Sequence, residues 1–393
     1  QYPYGVRYKN NLGQNNELRK VSEDIDDLTR DEQGEICEMP MMRADWFVAT
    51  ATRPPLYYTL LFDAYLPELV ARPDDPAAAK TGNPKRMTAY DLEKFLGVDI
   101  KANFLNPAPD RIARAGFNKS GVSGQNRLLE RHSCRTGAYW KSYDFKADSK
   151  RIKLTRFPLG PLNLFPEKQH PYPHQAFIHD GGEVIFNLPN GLQGYLLIKG
   201  NDERINDGPV EVVNDATKTS GTTQIVSGVS CMNCHGQGMI PFKDFIREGN
   251  ALFGKARDAV ENLYPKQEKM DELVRRDERK FMAALEEATG SFVKVGADKD
   301  KAMKEFREPV GEVARLYRLG YLTLDDVAAE MFEKDAAALR GILGQQEFRL
   351  MGLDVLLKPG GVIGRLEWDV IDGMSLMQRV AKALGGNPFN VPR

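Results

Sequence analysis

Residues 184–198 read VIFNLPNGLQGYLLI, and this stretch decides the fold predicted for the middle of the chain. Two apolar runs flank the pair Asn190-Gly191, and both residue types tolerate the positive φ angles that a two-residue hairpin turn requires. The stretch therefore predicts a β-hairpin. Partly alternating aromatic residues over 138–145 and the valine-rich run 210–213 predict further strands, so we expect a small antiparallel β-sheet around the hairpin.

Helical spacing dominates the chain on both sides of this region. Apolar residues recur at intervals of three and four from Arg43 to about Leu96, and the sequence from Thr88 to Asp91 resembles a capped helix start. The proline-rich tract 157–172 predicts an irregular loop. Downstream, the same spacing predicts helices over 241–246, 256–263, 266–288, 309–319, 324–332, 335–345 and 375–384.

These patterns together predict an α+β fold class. The polar residues 1–40 are expected to form an extended N-terminal arm. Residues 41–225 are expected to form a mixed α/β domain with the β-hairpin at 183–199, and residues 226–393 a mainly helical domain. The sequence shows no internal repeat and no low-complexity segment.

The composition excludes some classes of function. The 54 basic residues are matched by 55 acidic ones, which argues against a nucleic-acid-binding protein, because such proteins usually carry a basic excess. No stretch approaches the roughly 18 consecutive apolar residues of a transmembrane helix, so no transmembrane segment is predicted. The chain starts Gln1-Tyr2-Pro3-Tyr4, and we expect either that a leader has been removed or that the sequence starts downstream of one.

The run Cys231-Met232-Asn233-Cys234-His235 carries the strongest chemical signal. Two cysteines with two residues between them occur in structural zinc sites, in redox dithiols and at covalent haem attachment points. A zinc site needs further ligands, but Cys37 and Cys134 are isolated, and the closely spaced pair His170 and His174 lies far upstream. A thioredoxin-like dithiol would follow alternating strands and helices, which this region lacks.

Haem attachment gives the spacing a physical reason. Two thiols three positions apart can form thioethers to the two vinyl groups on one haem edge, and the next residue, His235, can then place its imidazole under the iron. The motif therefore predicts one covalently bound haem c. Cys231 and Cys234 are the predicted attachment points, and His235 is the predicted proximal ligand of the haem iron.

At this motif the chain resembles the c-type cytochrome family. The stretches 182–195 and 227–231 are similar to the large single-haem cytochrome-domain proteins of planctomycetes and proteobacteria. This resemblance implies covalent haem on Cys231 and Cys234, proximal ligation by His235 and maturation outside the cytoplasm. It further implies that the helical domain is cytochrome-c-like and that the protein is periplasmic or secreted.

The sequence does not identify the residue on the other side of the iron. Met239 follows His235 by four positions and is expected to stay on the proximal side. Met282 and Met303 lie several tens of residues later, as the distal methionine does in short cytochromes, but methionine at helical spacing more often fills a core. His174 lies in a loop before the hairpin that could fold over the haem. The distal ligand is therefore unknown, with Met282, Met303 and His174 as candidates.

The distal ligand separates three hypotheses about function. A closed, six-coordinate haem would make the protein an electron carrier that exchanges one electron with a redox partner protein, which is the leading prediction. An open distal site would make it a haem enzyme, peroxidase-like or oxygenase-like. A third hypothesis is a haem subunit of a larger respiratory or redox complex, in which the long N-terminal part is an interaction platform.

Two further features yield minor predictions. In an oxidising compartment leftover thiols often pair, so Cys37 and Cys134 are predicted to form a disulfide. The tract 201–208 is rich in oxygen ligands, and calcium is the cofactor that it could hold. Its spacing does not match a calcium-binding loop, so it is interpreted as a solvated turn.

Overall fold

The computed structural model describes residues 88–166, 168–218, 222–306, 317–369 and 375–386. The chain divides into two compact units, Gln1–Gly311 and Glu312–Arg393. The domain boundary predicted at 225/226 falls inside the first unit, so the sheet and the cysteine motif belong to the same unit. The predicted N-terminal arm over 1–40, and most of the helical region that follows it, lie outside the described residues.

The first unit combines an antiparallel sheet with helices. Its helices are α1 Ala89–Leu96, α2 Ile100–Leu105, α3 Val229–Cys234, α4 Lys255–Leu263 and α5 Gln267–Val293. Its strands are β1 Ile112–Asn118, β2 Asn126–Cys134, β3 Gly137–Tyr143, β4 Gly181–Asn187, β5 Gln193–Lys199 and β6 Arg204–Ile205. The mixed helix-and-sheet content with an antiparallel sheet agrees with the predicted fold class.

The six strands follow one another across the sheet in chain order, and each pairs antiparallel with its neighbour. The predicted hairpin is confirmed: β4 and β5 pair from Gly181 opposite Lys199 to Asn187 opposite Gln193. In the connecting turn Gly191 has φ +86°, a left-handed conformation that glycine adopts without strain. β3 confirms the aromatic strand.

Two predicted elements are wrong. Residues 210–213 form a turn rather than a strand, because the backbone N–H groups of Val212 and Val213 both donate to the carbonyl of Pro209. Residues 241–246 contain no helix. There the Asp244 carboxylate accepts hydrogen bonds from the backbone of Gly116 in β1 and from Arg247, which holds the segment extended against the sheet edge. The first helix after the motif is α4.

Local cap signals predict several helix starts correctly. Thr88 and Asp91 form a capping box at the start of α1, in which each side chain satisfies a backbone N–H of the first turn. α4 and α5 confirm the two central predicted helices, and α5 extends five residues beyond its predicted end at 288. None of the described helices combines the length and the apolar character that crossing a bilayer would take.

The alternation of side chains gives the sheet two different faces. The cavity face, which borders a large cavity, carries Phe117, Arg127, Leu129, Arg131, Trp140, Ser142, Glu183, Ile185 and Leu197. The network face carries Arg114, Leu128, Glu130, His132, Tyr139, Lys141, Tyr143 and Val184. Each face therefore carries charged side chains, and each is covered by other parts of the chain.

The network face holds a fully buried ion pair between Arg114 and Glu130. Nε of Arg114 donates to the Glu130 carboxylate at 2.5 Å, and both side chains have no exposed surface. The same carboxylate contacts His132 Nε2 at 2.8 Å and accepts from the Tyr143 hydroxyl at 3.1 Å. The amide of Asn103 in α2 meets the other ring nitrogen of His132 at 3.0 Å. These charge-assisted contacts hold the pKa of Glu130 well below its usual range, although burial acts in the opposite direction.

A second buried cluster on the same face ties α1 to the sheet. Lys141 in β3 donates to Glu93 of α1 at 2.9 Å and to Asp202 at 2.7 Å. The Tyr139 hydroxyl also donates to Glu93, at 2.7 Å. Because buried charges are tolerated only when they are paired, this cluster fixes where α1 can pack.

The long helix α5 is fastened to the cavity face by Asp277. Its carboxylate accepts two hydrogen bonds from Arg131, at 2.7 and 2.9 Å, and one from the Trp140 indole N–H at 2.9 Å. The Arg131 and Asp277 side chains are almost completely buried. A single acid on α5 thus positions an arginine and a tryptophan of two adjacent strands.

The second unit has a core of its own. It contains β7 Tyr321–Leu322, α6 Leu324–Glu330, α7 Ala337–Leu343, α8 Gln346–Leu350, β8 Ile363–Gly364, α9 Arg365–Asp369 and α10 Leu376–Ala383. The core surrounds Trp368, whose indole N–H donates to Glu330 at 2.9 Å. The helix predicted to begin at 324 is confirmed, with Thr323 as its N-cap, while most of the helix predicted over 309–319 lies outside the described residues.

The loop that contains His170, His174 and His179 packs against the network face. His170 lies between the rings of Phe104 and Phe165, and His174 is exposed. The ring of His179 meets that of Tyr143 edge-on at 5.0 Å. Burial, and then the Lys141 charge, lower the pKa of His179 from 6.5 to about 4, against the opposing effect of Asp202.

We expect His179 to make the protein less stable in mild acid. Because its pKa is lower in the folded state, the unfolded chain takes up the proton first. Its contribution to stability is therefore complete above pH 6.5 and is lost as the pH falls towards about 4. Melting temperatures at pH 7 and pH 4.5 should show a smaller drop for His179→Phe than for the wild type. His174→Phe, at an exposed position of the same loop, should keep the full drop, and equal drops for all three proteins would contradict the assignment.

Candidate functional site

The spacing of the motif places its three reactive side chains on one side of α3. Cys231 and Cys234 are three positions apart, and His235 follows Cys231 by four, so all three project from one helical face. The backbone N–H of His235 donates to the Cys231 carbonyl at 2.8 Å, which keeps the helical path through the end of the motif. Cys231 is buried, with 2 % of its surface exposed. The side chains of Cys231, Cys234 and His235 therefore form one compact surface.

This surface forms one wall of a cavity of about 740 Å³, a volume within the range of cofactor pockets. Cys231, Cys234 and His235 all line it. The facing wall is the cavity face of the sheet, and the segments 119–122, 208–217 and 239–245 complete the enclosure. Much of the lining is apolar, with side chains including Phe117, Val122, Leu129, Trp140, Ile185 and Leu197.

His235 is oriented by the loop that follows it. Its Nδ1 lies 3.1 Å from the Gly238 carbonyl, and since a carbonyl can only accept, Nδ1 carries the proton. The other nitrogen, Nε2, is then the one with a lone pair for a metal, as in most metal-binding histidines. Gly238 has φ +91°, so a side chain at this position would strain the turn that presents the carbonyl.

Both thiols of the motif are held in the protonated form. Burial, and then the nearby Glu183 carboxylate, raise the pKa of Cys231 well above its ordinary value. Burial, and then Glu183 and Asp215, raise the pKa of Cys234 to about 11. Zinc ligation and dithiol exchange both use thiolates, and no group of three or more metal-ligating His, Cys, Asp or Glu side chains occurs in the part of the chain described. The local electrostatics therefore favour neutral thiols.

Charged residues of the cavity face lie beside the thiols. Arg127 donates two hydrogen bonds to Asp144, at 2.6 and 3.0 Å, and its guanidinium is 3.7 Å from Glu183. Ser142 bridges the two acids, because its hydroxyl donates to Asp144 and accepts the backbone N–H of Glu183. Glu183 and Cys231 line the same cavity, so an acid of the sheet and a thiol of the motif share one site.

The structure separates the candidate distal ligands from the motif. Met282, Met303 and His174 are not among the residues that line the cavity. Met303 precedes Lys304, whose carbonyl accepts a hydrogen bond from the Gln237 side chain at 2.9 Å. Met239 does line the cavity, on the same loop as His235.

Sequence reasoning found the motif but not the wall opposite it. Arg127 and Glu183 were not recognised, since nothing local to either residue marks it as facing Cys231. Trp140 could have been assigned to a face by the two-residue period of β3, which sends its neighbour Tyr139 to the network face. The two-residue period of a strand does not indicate which face of the sheet will be covered by a helix that lies far along the chain.

The structure describes part of the residues of both minor predictions, the Cys37–Cys134 disulfide and calcium binding by residues 201–208. The Cys134 thiol lies near the end of β2, 3.4 Å from the Thr136 hydroxyl, and Cys37 lies outside the described residues, so their disulfide stays a prediction. In the 201–208 tract Asp202 pairs with Lys141, and Arg204–Ile205 forms β6. The oxygen ligands considered for calcium thus include one that is already part of an ion pair.

Comparison of the chain with protein-family models, with curated proteins and with solved structures finds no match.

Proposed function

We propose that the chain is a c-type cytochrome that holds one haem covalently and transfers single electrons to and from a redox partner protein. One observation carries the proposal. Two neutral thiols and an imidazole with its Nδ1 proton bound to a carbonyl share one wall of an apolar cavity large enough for a cofactor. Neither a zinc site nor a dithiol enzyme explains the fixed imidazole and the cavity together.

The residues that line the cavity fit a covalently bound haem. Cys231 and Cys234 would hold it through thioethers, and Nε2 of His235 would be the nitrogen offered to the iron. Bound haem would supply one-electron chemistry. The cavity face would offer the haem apolar side chains that include Leu129, Ile185 and Leu197, and apolar surroundings raise a haem reduction potential. The Gly238 carbonyl accepts from Nδ1, which orients the ring and leaves Nε2 as the nitrogen directed to the cavity side.

The proposal is tested by measuring covalently bound haem, and we expect a large difference between the wild type and a variant without the two thiols. The wild type, produced with a cytochrome maturation system, should retain haem after denaturation and give a c-type pyridine haemochrome. The double variant Cys231→Ala/Cys234→Ala should lose this covalent haem completely, because no thiol remains in the cavity. Cys134→Ala is the matched control, a cysteine outside the cavity, and it should retain full haem content. A wild type without covalent haem would refute the proposal.

A second candidate is a haem protein with an open coordination position. Among the described residues that line the cavity, the histidine and methionine side chains are His235 and Met239, which share one loop. An iron bound through His235 would then have no second histidine or methionine facing it from the sheet. Carbon monoxide added to the reduced protein decides between the two: an unchanged spectrum supports the closed carrier, and a shifted Soret band supports a ligand-binding or enzymatic haem.

The compartment and the partner belong to the same proposal. Haem c maturation places the protein in the periplasm or outside the cell, and an electron carrier or a haem subunit of a larger complex requires a redox partner. Fractionation of cells that express the natural gene, with covalent haem as the marker, tests the compartment.

A further inference from the structure

We propose that Phe281 of α5 is a positioning residue for His235, whose ring it orients by packing against the turn that follows the motif. The proposal rests on the haem function proposed above, and it deepens that function by assigning the orientation of the predicted proximal ligand to a residue outside the motif. Phe281 is not among the residues that line the cavity, so it acts through the turn and not on a bound group.

Two contacts close the turn between His235 and Gly238. The Gly238 N–H donates to the His235 carbonyl at 2.8 Å, and Nδ1 of His235 lies 3.1 Å from the Gly238 carbonyl. A hydrogen bond to the second ring nitrogen fixes both the tautomer and the orientation of a metal-binding histidine. The direction of the His235 ring therefore depends on where Gly238 is held.

Phe281 packs directly against this turn. A β-carbon at position 238 would lie 3.4 Å from Cδ1 of the Phe281 ring and 3.5 Å from the α-carbon of Glu278. The side-chain amide nitrogen of Gln193 in β5 lies 3.9 Å from the same point. Phe281 itself is buried, with 6 % of its surface exposed. Both α5 and β5 thus lie beside Gly238, and Phe281 is the side chain that α5 places there.

The position of α5 is fixed one helical turn before Phe281. Asp277 precedes Phe281 by four positions, so the two side chains share one face of the helix. The Asp277 carboxylate binds the Arg131 guanidinium at 2.7 and 2.9 Å and the Trp140 indole N–H at 2.9 Å. Since these bonds hold the helix on the sheet, they also determine where Phe281 meets Gly238.

A positioning role can be distinguished from a purely structural one. Truncating any well-packed phenylalanine lowers stability, because it leaves a cavity in the core. A loss of stability alone does not change how the His235 ring is oriented in molecules that remain folded. The tautomer of this ring and the potential of an iron bound to it therefore report on positioning and not on stability.

The first measurement is nitrogen NMR of the ¹⁵N-labelled 393-residue chain without haem, at a pH where histidine is neutral. The two ring nitrogens of a neutral imidazole have different chemical shifts, so the spectra give the ratio of the Nδ1–H to the Nε2–H tautomer of His235. Wild type should be mainly the Nδ1–H tautomer. Phe281→Ala should lower the ratio roughly 3- to 10-fold, which corresponds to the loss of one ordinary hydrogen bond. Phe281→Leu, a milder change, should lower it about twofold.

Phe177→Ala is the matched control. It removes a fully buried ring that contacts Tyr143, on the network face of the sheet. This variant should also be less stable than wild type, but its tautomer ratio should equal that of wild type. The second measurement is the reduction potential of the haem-loaded proteins. It should rise in Phe281→Ala, because a histidine that loses its Nδ1 hydrogen bond is a less basic ligand, and it should stay unchanged in Phe177→Ala.

Several outcomes would overturn the role of Phe281. They are a wild type without an excess of the Nδ1–H tautomer, unchanged ratios in the folded Phe281 variants, and equal shifts in Phe281→Ala and Phe177→Ala. The two proposals fail separately. If the chain gains covalent haem but the Phe281 variants match wild type in ratio and potential, the present proposal alone is wrong. If the chain gains no covalent haem from a maturation system, the haem function is wrong whatever the tautomer ratio.

Discussion

Arg114→Met is expected to lower the free energy of unfolding by about 3–5 kcal/mol, the usual cost of removing one partner of a buried ion pair. Glu130 has no exposed surface, so its carboxylate would remain in the core without its cation. The loss should appear as a shift of the urea midpoint of the first unit. The Tyr143 hydroxyl that donates to this carboxylate is neutral and supplies no replacement charge.

Two comparisons make this result specific. Lys199→Met removes the cation of an exposed pair in the same sheet, and it should cost at most about 1 kcal/mol. The double variant Arg114→Met/Glu130→Met should regain part of the loss, because no unpaired charge is left, although His132 and Tyr143 then lack their acceptor. If Arg114→Met is no more harmful than Lys199→Met, the buried pair does not stabilise the sheet.

Asp277→Ala is expected to have a similar effect, about 3–5 kcal/mol, for a related reason. The substitution leaves Arg131 buried without its bidentate acid and the Trp140 indole without its acceptor. Because Trp140 lines the cavity, the damage should reach the site as well as the packing of α5. Urea unfolding measures the first effect, and the yield of covalent haem after maturation, the marker of the proposed function, measures the second.

Glu272→Ala is the matched control for Asp277. Glu272 lies on the same helix, its side chain is 60 % exposed, and it pairs with Lys269 three positions away. Its removal should change stability by less than about 1 kcal/mol. Equal effects at positions 272 and 277 would mean that α5 is not fastened through its buried acid.

The hairpin and the capped helix starts could be predicted because their signals are local. An Asn-Gly turn or a threonine followed by aspartate three positions later depends on residues next to one another. The sequence pattern does not predict β1 and β2. In β2 the reason is a set of charged or titratable side chains, namely Arg127, Glu130, Arg131 and His132. A strand with buried charges on both faces has no alternation of apolar and polar residues, which is the pattern that identifies strands.

The candidate site likewise has one part that local sequence signals predict and one part that they do not. The ligand set Cys231, Cys234 and His235 follows from spacing along one helix. The opposite wall depends on pairings between distant parts of the chain, such as Cys231 and Glu183 on one cavity and the hydrogen bond from Trp140 to Asp277. Spacing within a single sequence does not encode such contacts.

The simple strand order has a consequence for how the protein assembles. Every strand of the six pairs with its neighbour in the chain, so most pairings close short loops and form quickly. Pairings between neighbours in the chain form before contacts between distant segments, so we expect the sheet to be complete before α3 packs against it. The cysteine-bearing helix then docks on a preformed surface, and the cavity closes last, after its acid and its aromatic wall are already in place.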